Sequence, residues 1–414
     1  WKLTAKDIVD GQIRYETARR TTEAAYKTFL TDKSRPRVGD VLLTKDGSIG
    51  RVAVADRDGL CINQSVALLR PNARVLPRFL AFLLRSPYYQ QRMESDSDGS
   101  TIKHIYITRV DKMEIALPPV HEQAELLSIL GTLDDRIDLL RQTNATLESI
   151  AQALFKSWFI DFDPVRAKAE GREPEGMDAA TAALFPAEFE DSALGLIPKG
   201  WAASSLGALC AGSGGWIQTG PFGSQLHASD YVDEGIPVVM PQDMQDRRVS
   251  DARIARVRQL DADRLAKHKL AVGDIVFSRR GDVGRHATVS EREVGWLCGT
   301  GCLLVRPGIG AKSPAYVSQA LANPQSVEWL KRHAVGATMP NLNTGILEAL
   351  PLLSPPDAIL YAFEQIVDHL EHRMTLNHAH MSSLSEVRDQ LLPRLISGKL
   401  RLPEAQAPLE DALA

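Results

Sequence analysis

"VGDVLLTKDGSIGRVAV", residues 38–54, is written a second time as "VGDIVFSRRGDVGRHAT", residues 272–288. Gly39, Asp40, Gly47, Gly50 and Arg51 recur as Gly273, Asp274, Gly281, Gly284 and Arg285, with apolar and β-branched residues between them. Extended, half-buried runs interrupted by glycines predict a strand, a glycine turn and a second strand. Downstream, "ALLRPN" matches "LLVRPG" after a two-residue insertion, and from Pro77 and Pro314 onward the partners lie a constant 237 positions apart. That offset carries Gly99 and Thr101 onto Gly336 and Thr338, and Pro118-Pro119 onto Pro355-Pro356. Constant order and period imply a duplicated module.

After each Pro-Pro pair comes a long stretch with a heptad stripe. Leu126, Leu130, Leu133, Ile137, Leu140, Asn144, Leu147, Ala151, Leu154 and Trp158 are spaced alternately four and three apart. Adding 237 gives Phe363, Val367, Leu370, Met374, Asn377, Met381, Leu384, Arg388, Leu391 and Leu395. Two helices with matching apolar seams in one chain can pair with each other as a coiled coil. Each seam holds one asparagine near its middle, which fixes register if buried and marks a wet stretch if not. Gly131, costly inside a helix, marks a bend or a close crossing.

The chain has 414 residues, more than one core sustains, so several domains are expected. Its formal charge of −4 argues against nucleic acid, but the charge is unevenly spread. Residues 1–120 hold 20 Lys and Arg against 14 Asp and Glu, and residues 197–356 hold 17 against 14. Residues 169–196 hold 1 against 7, so two basic regions are separated by an acidic one. No apolar run nears the roughly 18 residues of a membrane span, and no charged-then-apolar leader opens the chain. A cytoplasmic protein with no membrane partner is expected. Cys61, Cys210, Cys298 and Cys302 lack paired metal-ligand spacing and read as buried reduced thiols. No metal is expected.

The ordered strings "ALPPVHEQAELLSIL", "LFKSWFIDFDPVRAK", "IPKGW", "TGPFGSQL", "TMPNLNTGILEALPLLSPP" and "LLPRLISGKLRL" resemble the specificity subunit of prokaryotic type I restriction–modification systems. The resemblance covers nearly the whole chain. It implies α/β (α+β) target-recognition domains in tandem duplicate, separated by two long helices in an antiparallel coiled coil, with approximate internal two-fold symmetry. On that reading residues 1–119 form a first recognition domain, 120–160 a spacer helix, 161–196 a linker, 197–356 a second recognition domain, 357–398 a second spacer helix and 399–414 a tail. Only 38 residues precede Gly39 against about 75 before Gly273 from Ile197, so the first domain is expected to lack its opening segment. The family's partners are double-stranded DNA, two methyltransferase subunits and restriction subunits. S-adenosylmethionine belongs to the methyltransferase partner, ATP and Mg to the restriction partner, and no cofactor is expected on this chain.

No catalytic constellation is present. There is no GxxxxGK[ST] loop, and "SPYY" and "ANPQ" lack the second proline of an adenine-methylating Asn/Asp-Pro-Pro-aromatic motif. Asp161 and Asp163 read as solvated carboxylates ending a helix. The expected role is therefore recognition without catalysis. DNA candidates are Lys45, Arg279 and Arg280 on the glycine turns, alternatively solvated hairpin tips. Lys103 and His104 match the region of Thr338, Asn341 and Asn343, where asparagine either reads adenine or caps a turn. Gln218, Thr219, Ser224 and Gln225 surround Phe222, which wedges into DNA or packs, and the resemblance places this loop near DNA. Phe155, Phe159 and Ile396, off the seam, are expected to dock partner subunits or to pack on the recognition domains. The seam candidates are Leu130, Leu133, Ile137, Leu140, Asn144, Leu147, Leu370, Met374, Asn377, Met381, Leu384 and Leu391. A self-sufficient methyltransferase and a protein-binding scaffold are the alternatives, separable by cofactor binding and by salt-dependent DNA affinity.

Overall fold

A computed structural model describes residues 1–9, 11–99, 103–252, 254–308, 313–336 and 340–413. It divides into two compact units, one of residues 1–144 and 375–414, the other of residues 145–374. The boundary falls inside both long helices, Val120–Phe159 and Asp357–Ile396, each 40 residues long. Each begins directly after its Pro-Pro pair, with Glu122 or Asp357 in the first turn and Lys156 or Arg394 in the last, which suits the helix dipole.

In the first unit, Val41–Thr44 is the centre of an antiparallel three-stranded sheet, flanked by Val52–Val54 and Val66–Leu69. Pro77–Arg85, opened by a proline at its first turn, lies over it. Ala81 and Leu84 of this helix join the sheet core of Val41, Leu43, Val52 and Ala67. Its other face, Phe79, Phe82 and Leu83, joins a second core made by the long helices. There Leu126, Leu130, Leu133, Ile137 and Leu140 are buried with Leu384, Leu391 and Leu395. Asp134 meets Arg388 at 2.8 Å while Asn144 meets Asn377 at 2.7 Å, so the two segments run antiparallel. Both asparagines are buried, at 8% and 3% exposure, and the Asn377 amide donates to the Asn144 oxygen. Met381 is half-buried against the same core. Residues 399–414, expected as a tail, include the helix Leu402–Leu413, whose Ala405 is buried in this core.

In the second unit the corresponding sheet has four antiparallel strands in the order Gly214–Thr219, Cys302–Gly308, Ile275–Ser278, His286–Thr288. Pro314–Ala322 lies where Pro77–Arg85 lies in the first unit, and Tyr316, Ala320 and Leu321 share a core with Phe363 and Val367 of the long helix. Met374 is buried, and Leu147, Leu154 and Leu370 are half-buried. Residues 161–196, expected as a linker, carry the helices Asp163–Ala169 and Ala179–Leu184 and part of a hairpin, with Val165 and Phe185 buried in the unit core. The acidic, Pro-rich composition concealed that these apolar side chains anchor the segment.

The recurring Gly-Asp has a structural role. Asp40 takes a two-pronged ion pair from Arg70, at 2.9 and 2.8 Å, and the Arg37 amide donates to it. Asp274 takes the same fork from Arg306 at 2.7 and 2.6 Å, with the Ala271 amide donating. Burial pushes the Asp40 carboxyl up, but the Arg70 fork and the Arg37 amide outweigh it and hold it below the usual range. All four cysteines are buried and free, and burial pushes Cys210 up to about 12. An added Cβ at Gly131 would sit 3.7 Å from the Arg78 guanidinium, an ordinary contact, so neither a bend nor a close crossing requires glycine there.

Candidate nucleic-acid interface

The second unit's register places its candidate segments together. Thr219 and Phe277 both lie opposite Leu303, at the start of the strand between them. Loop 220–225 and turn 279–282 therefore leave the sheet at the same end, with Gly220 and Arg279 amides donating to Cys302 and Gly301 carbonyls. Segment 340–343 is laced to the turn: the Gly281 amide donates to Pro340 at 3.1 Å and the Leu342 amide to Arg279 at 2.9 Å. Thus three segments far apart in sequence meet at one sheet end.

Loop 220–225 is built rigidly. An added Cβ at Gly220 would fall 1.8 Å from the Gly299 carbonyl oxygen, so only glycine permits this approach. Gln225 Oε1 accepts from the Phe222 amide at 3.0 Å, and Gln218 Nε2 donates to the Lys267 carbonyl at 2.7 Å. Both glutamines thereby hold the frame, while Thr219 is half-buried and Ser224 and Phe222 are exposed. His268, beside Gln218, is buried, and that burial, reinforced by Lys267, pushes its imidazole down to about 4.

On the turn, Arg280 is exposed and Arg279 half-buried. Neither has an ion pair among the described residues, and Arg279 Nε is buried without a hydrogen-bond partner. Asn343 takes the capping role: its Oδ1 accepts from the Ile346 amide at 2.8 Å. Asn341 pairs across the backbone with Arg280, and its Oδ1 is buried without a partner. Thr338, like Thr101, lies outside the described residues.

The first unit repeats the frame. Gly47 donates to the Lys103 carbonyl and Ile105 to the Lys45 carbonyl, both at 2.9 Å, and Asp46 pairs across the backbone with His104. Side chains differ from the second unit: Asp46 contacts His104 Nδ1 and, at 3.4 Å, Lys45 Nζ, while Lys103 pairs with Glu94. At the same sheet end lies a cleft of about 690 Å³, lined by Lys2, Lys6, Arg19, Asn63, Asp46 and Gly47 among others. Lys2, Lys6 and Arg19 have no ion pair among the described residues. Sequence reasoning passed over these three cations because they belong to no motif.

Of the two expectations for Phe155, Phe159 and Ile396, the structure shows packing on their own unit. Phe155 and Phe159, at 5% and 2% exposure, are buried against Tyr316 and Phe363 of their own unit, and Ile396 is half-buried against the first unit's core. Residues off the heptad seam face their own recognition domain, which supplies the apolar surface they need.

Residues 2–149 match the family described as Type I restriction modification DNA specificity domain. The type I restriction enzyme HindI specificity subunit of Haemophilus influenzae is 28% identical over 414 residues, covering 89% of this chain and 88% of its own length. Over residues 2–149 by the family match, and over most of its length by these relatives, the chain is similar to type I restriction–modification specificity subunits. The type I restriction enzyme MjaIX specificity subunit of Methanocaldococcus jannaschii is 25% identical over 417 residues, 97% of this chain and 87% of its own. A crystal structure of a type I restriction–modification S subunit from M. genitalium matches with a TM-score of 0.49 at 19% identity, over 88% of this chain and 84% of that one. Residues 197–356 lie outside the matched residues 2–149, yet they carry the same backbone frame at their sheet end. No helix among the described residues is long and apolar enough to cross a membrane.

Proposed function

We propose that the chain is the non-catalytic DNA-recognition subunit of a type I restriction–modification complex, each unit reading one part of a bipartite duplex site. The observation that carries this reading is the gathering of polar and basic segments at one sheet end, repeated with the same hydrogen bonds in both units. Phosphates would be held by the unpaired cations, Lys2, Lys6 and Arg19 in the first unit and Arg279 in the second, and bases by loop side chains. Methyltransferase subunits, bringing S-adenosylmethionine, would dock on apolar side chains that the helices leave exposed. These are Leu139 and Leu376 in the first unit and Tyr361 and Ile366 in the second. Restriction subunits would add the ATP- and Mg-dependent step. Single-molecule sequencing of modified bases in cells expressing this chain with its methyltransferase partner tests the reading. A two-part methylated motif is expected, and methylation without such a motif, or none, refutes it.

A further inference from the structure

The two units hold one position in the same backbone frame with opposite charge. Arg280 faces Asn341 across a backbone bridge, and Asp46 faces His104 across the equivalent bridge. The surrounding hydrogen bonds agree one for one: Gly281 to Pro340 with Gly47 to Lys103, and Leu342 to Arg279 with Ile105 to Lys45. Asn341 and Val335 exchange amide bonds at 2.9 and 3.0 Å, as His104 and Asp98 do at 2.8 Å. Residues directly opposite in such a bridge project to one face. The side chains at 46 and 280 therefore leave equivalent turns in equivalent directions.

A phosphate is the same at every step of a duplex, so a phosphate anchor calls for a cation in both units. A base edge differs from site to site, and the residue reading it must differ with it. The sign reversal between Asp46 and Arg280 fits the second requirement. In the first unit Asp46 is engaged by His104 and Lys45, a set closed upon itself. In the second the set is open: Arg280 is exposed, and beside it Arg279 Nε and Asn341 Oδ1 are buried polar atoms without partners. Buried polar groups are as a rule satisfied, so these two atoms leave unused hydrogen-bonding capacity at the root of the turn that carries the exposed Arg280.

Resting on the function proposed above, we infer that Arg280 is a specificity-determining residue of the second unit, its guanidinium fork reading the O6 and N7 edge of a guanine in the major groove. Asn341 completes the site at the root of the turn, beside the Arg279 assigned above to phosphate. Gly281, with φ +79°, continues the chain past Arg280 without a side chain that would hold the turn away from the groove.

The test is the methylated motif of the wild type, Arg280→Lys, Arg280→Ala and, as a control in the other unit, Asp46→Ala, each expressed with the methyltransferase partner. Lysine keeps the charge but loses the fork. Arg280→Lys and Arg280→Ala are expected to lower discrimination for guanine at one position of one half-site by about 10- to 100-fold, with the other half unchanged. Asp46→Ala should leave that position intact. If Arg280→Lys keeps the wild-type motif while Arg280→Ala lowers methylation evenly at all sites, Arg280 is a phosphate anchor and the assignment is overturned. A motif unchanged in both variants overturns it as well. Lack of any two-part motif in the wild type sinks the underlying reading instead.

Discussion

The asparagine pair in the helix seam lends itself to a quantitative test by replacing Asn144 and Asn377 with leucine, singly and together. The Asn377 amide donates to the Asn144 oxygen at 2.7 Å with both residues buried, so each single substitution strips a buried polar group of this partner. Losing this hydrogen bond on one side at a buried position costs about 1–3 kcal/mol, whereas replacing both partners by apolar groups is close to neutral or stabilising. Each single variant should therefore lose about 2 kcal/mol and the double variant little or none, a coupling of about 4 kcal/mol in magnitude. The first unit spans 184 residues, for which a loss of about 2 kcal/mol lowers the midpoint by about 4–8 °C. Scanning calorimetry of the four proteins completes the cycle. If the two single effects simply add in the double variant, the pair does not act as a unit and the account of the seam fails.

Gly131→Ala should raise the first unit's stability by about 0.5–1 kcal/mol in urea unfolding, since the added methyl group meets only Arg78 at 3.7 Å. Asp274→Ala removes the buried partner of the Arg306 fork and should cost about 3 kcal/mol, read as a lower denaturation midpoint for the second unit. The His268 imidazole is held at about 4 in the folded state against its ordinary 6.5, so the unfolded chain binds the extra proton first. Stability is thus fully present above about pH 6.5 and falls toward pH 4, and His268→Phe should flatten that slope in pH-dependent thermal melts. Replacing Lys2, Lys6 and Arg19 by alanine should weaken DNA binding of every sequence alike and lower the salt dependence by about 2.7 in the log–log slope, measured by titration at several ionic strengths.

Much of this architecture was legible because its signals are local and periodic. The strand–turn–strand copies, the heptad spacing and the mid-seam asparagines each depend on neighbours within a few residues. The ion-pair forks were not legible, because Asp40 and Arg70 stand 30 positions apart and only strand register brings them together. The cleft cations escaped notice for the same reason: Lys2 and Arg19 reach the Gly47 turn only through the packing of Lys2–Leu3 against Cys61–Ile62. Phe155 and Phe159 show the opposite failure. The heptad rule placed them off the seam, but it does not describe a helix that buries two faces at once. Asn343 illustrates competition between chemistries, its oxygen serving the next helical turn.

In each unit the Asp–Arg fork closes the end of the sheet opposite to the turns, since Asp40 and Asp274 enter the strands whose far ends lead into Lys45 and Arg279. The ion-pair brace and the candidate contact residues therefore occupy opposite poles of each sheet. A substitution at the tips thus leaves the brace untouched, so side chains can change at one pole while the fork keeps its contribution to stability at the other.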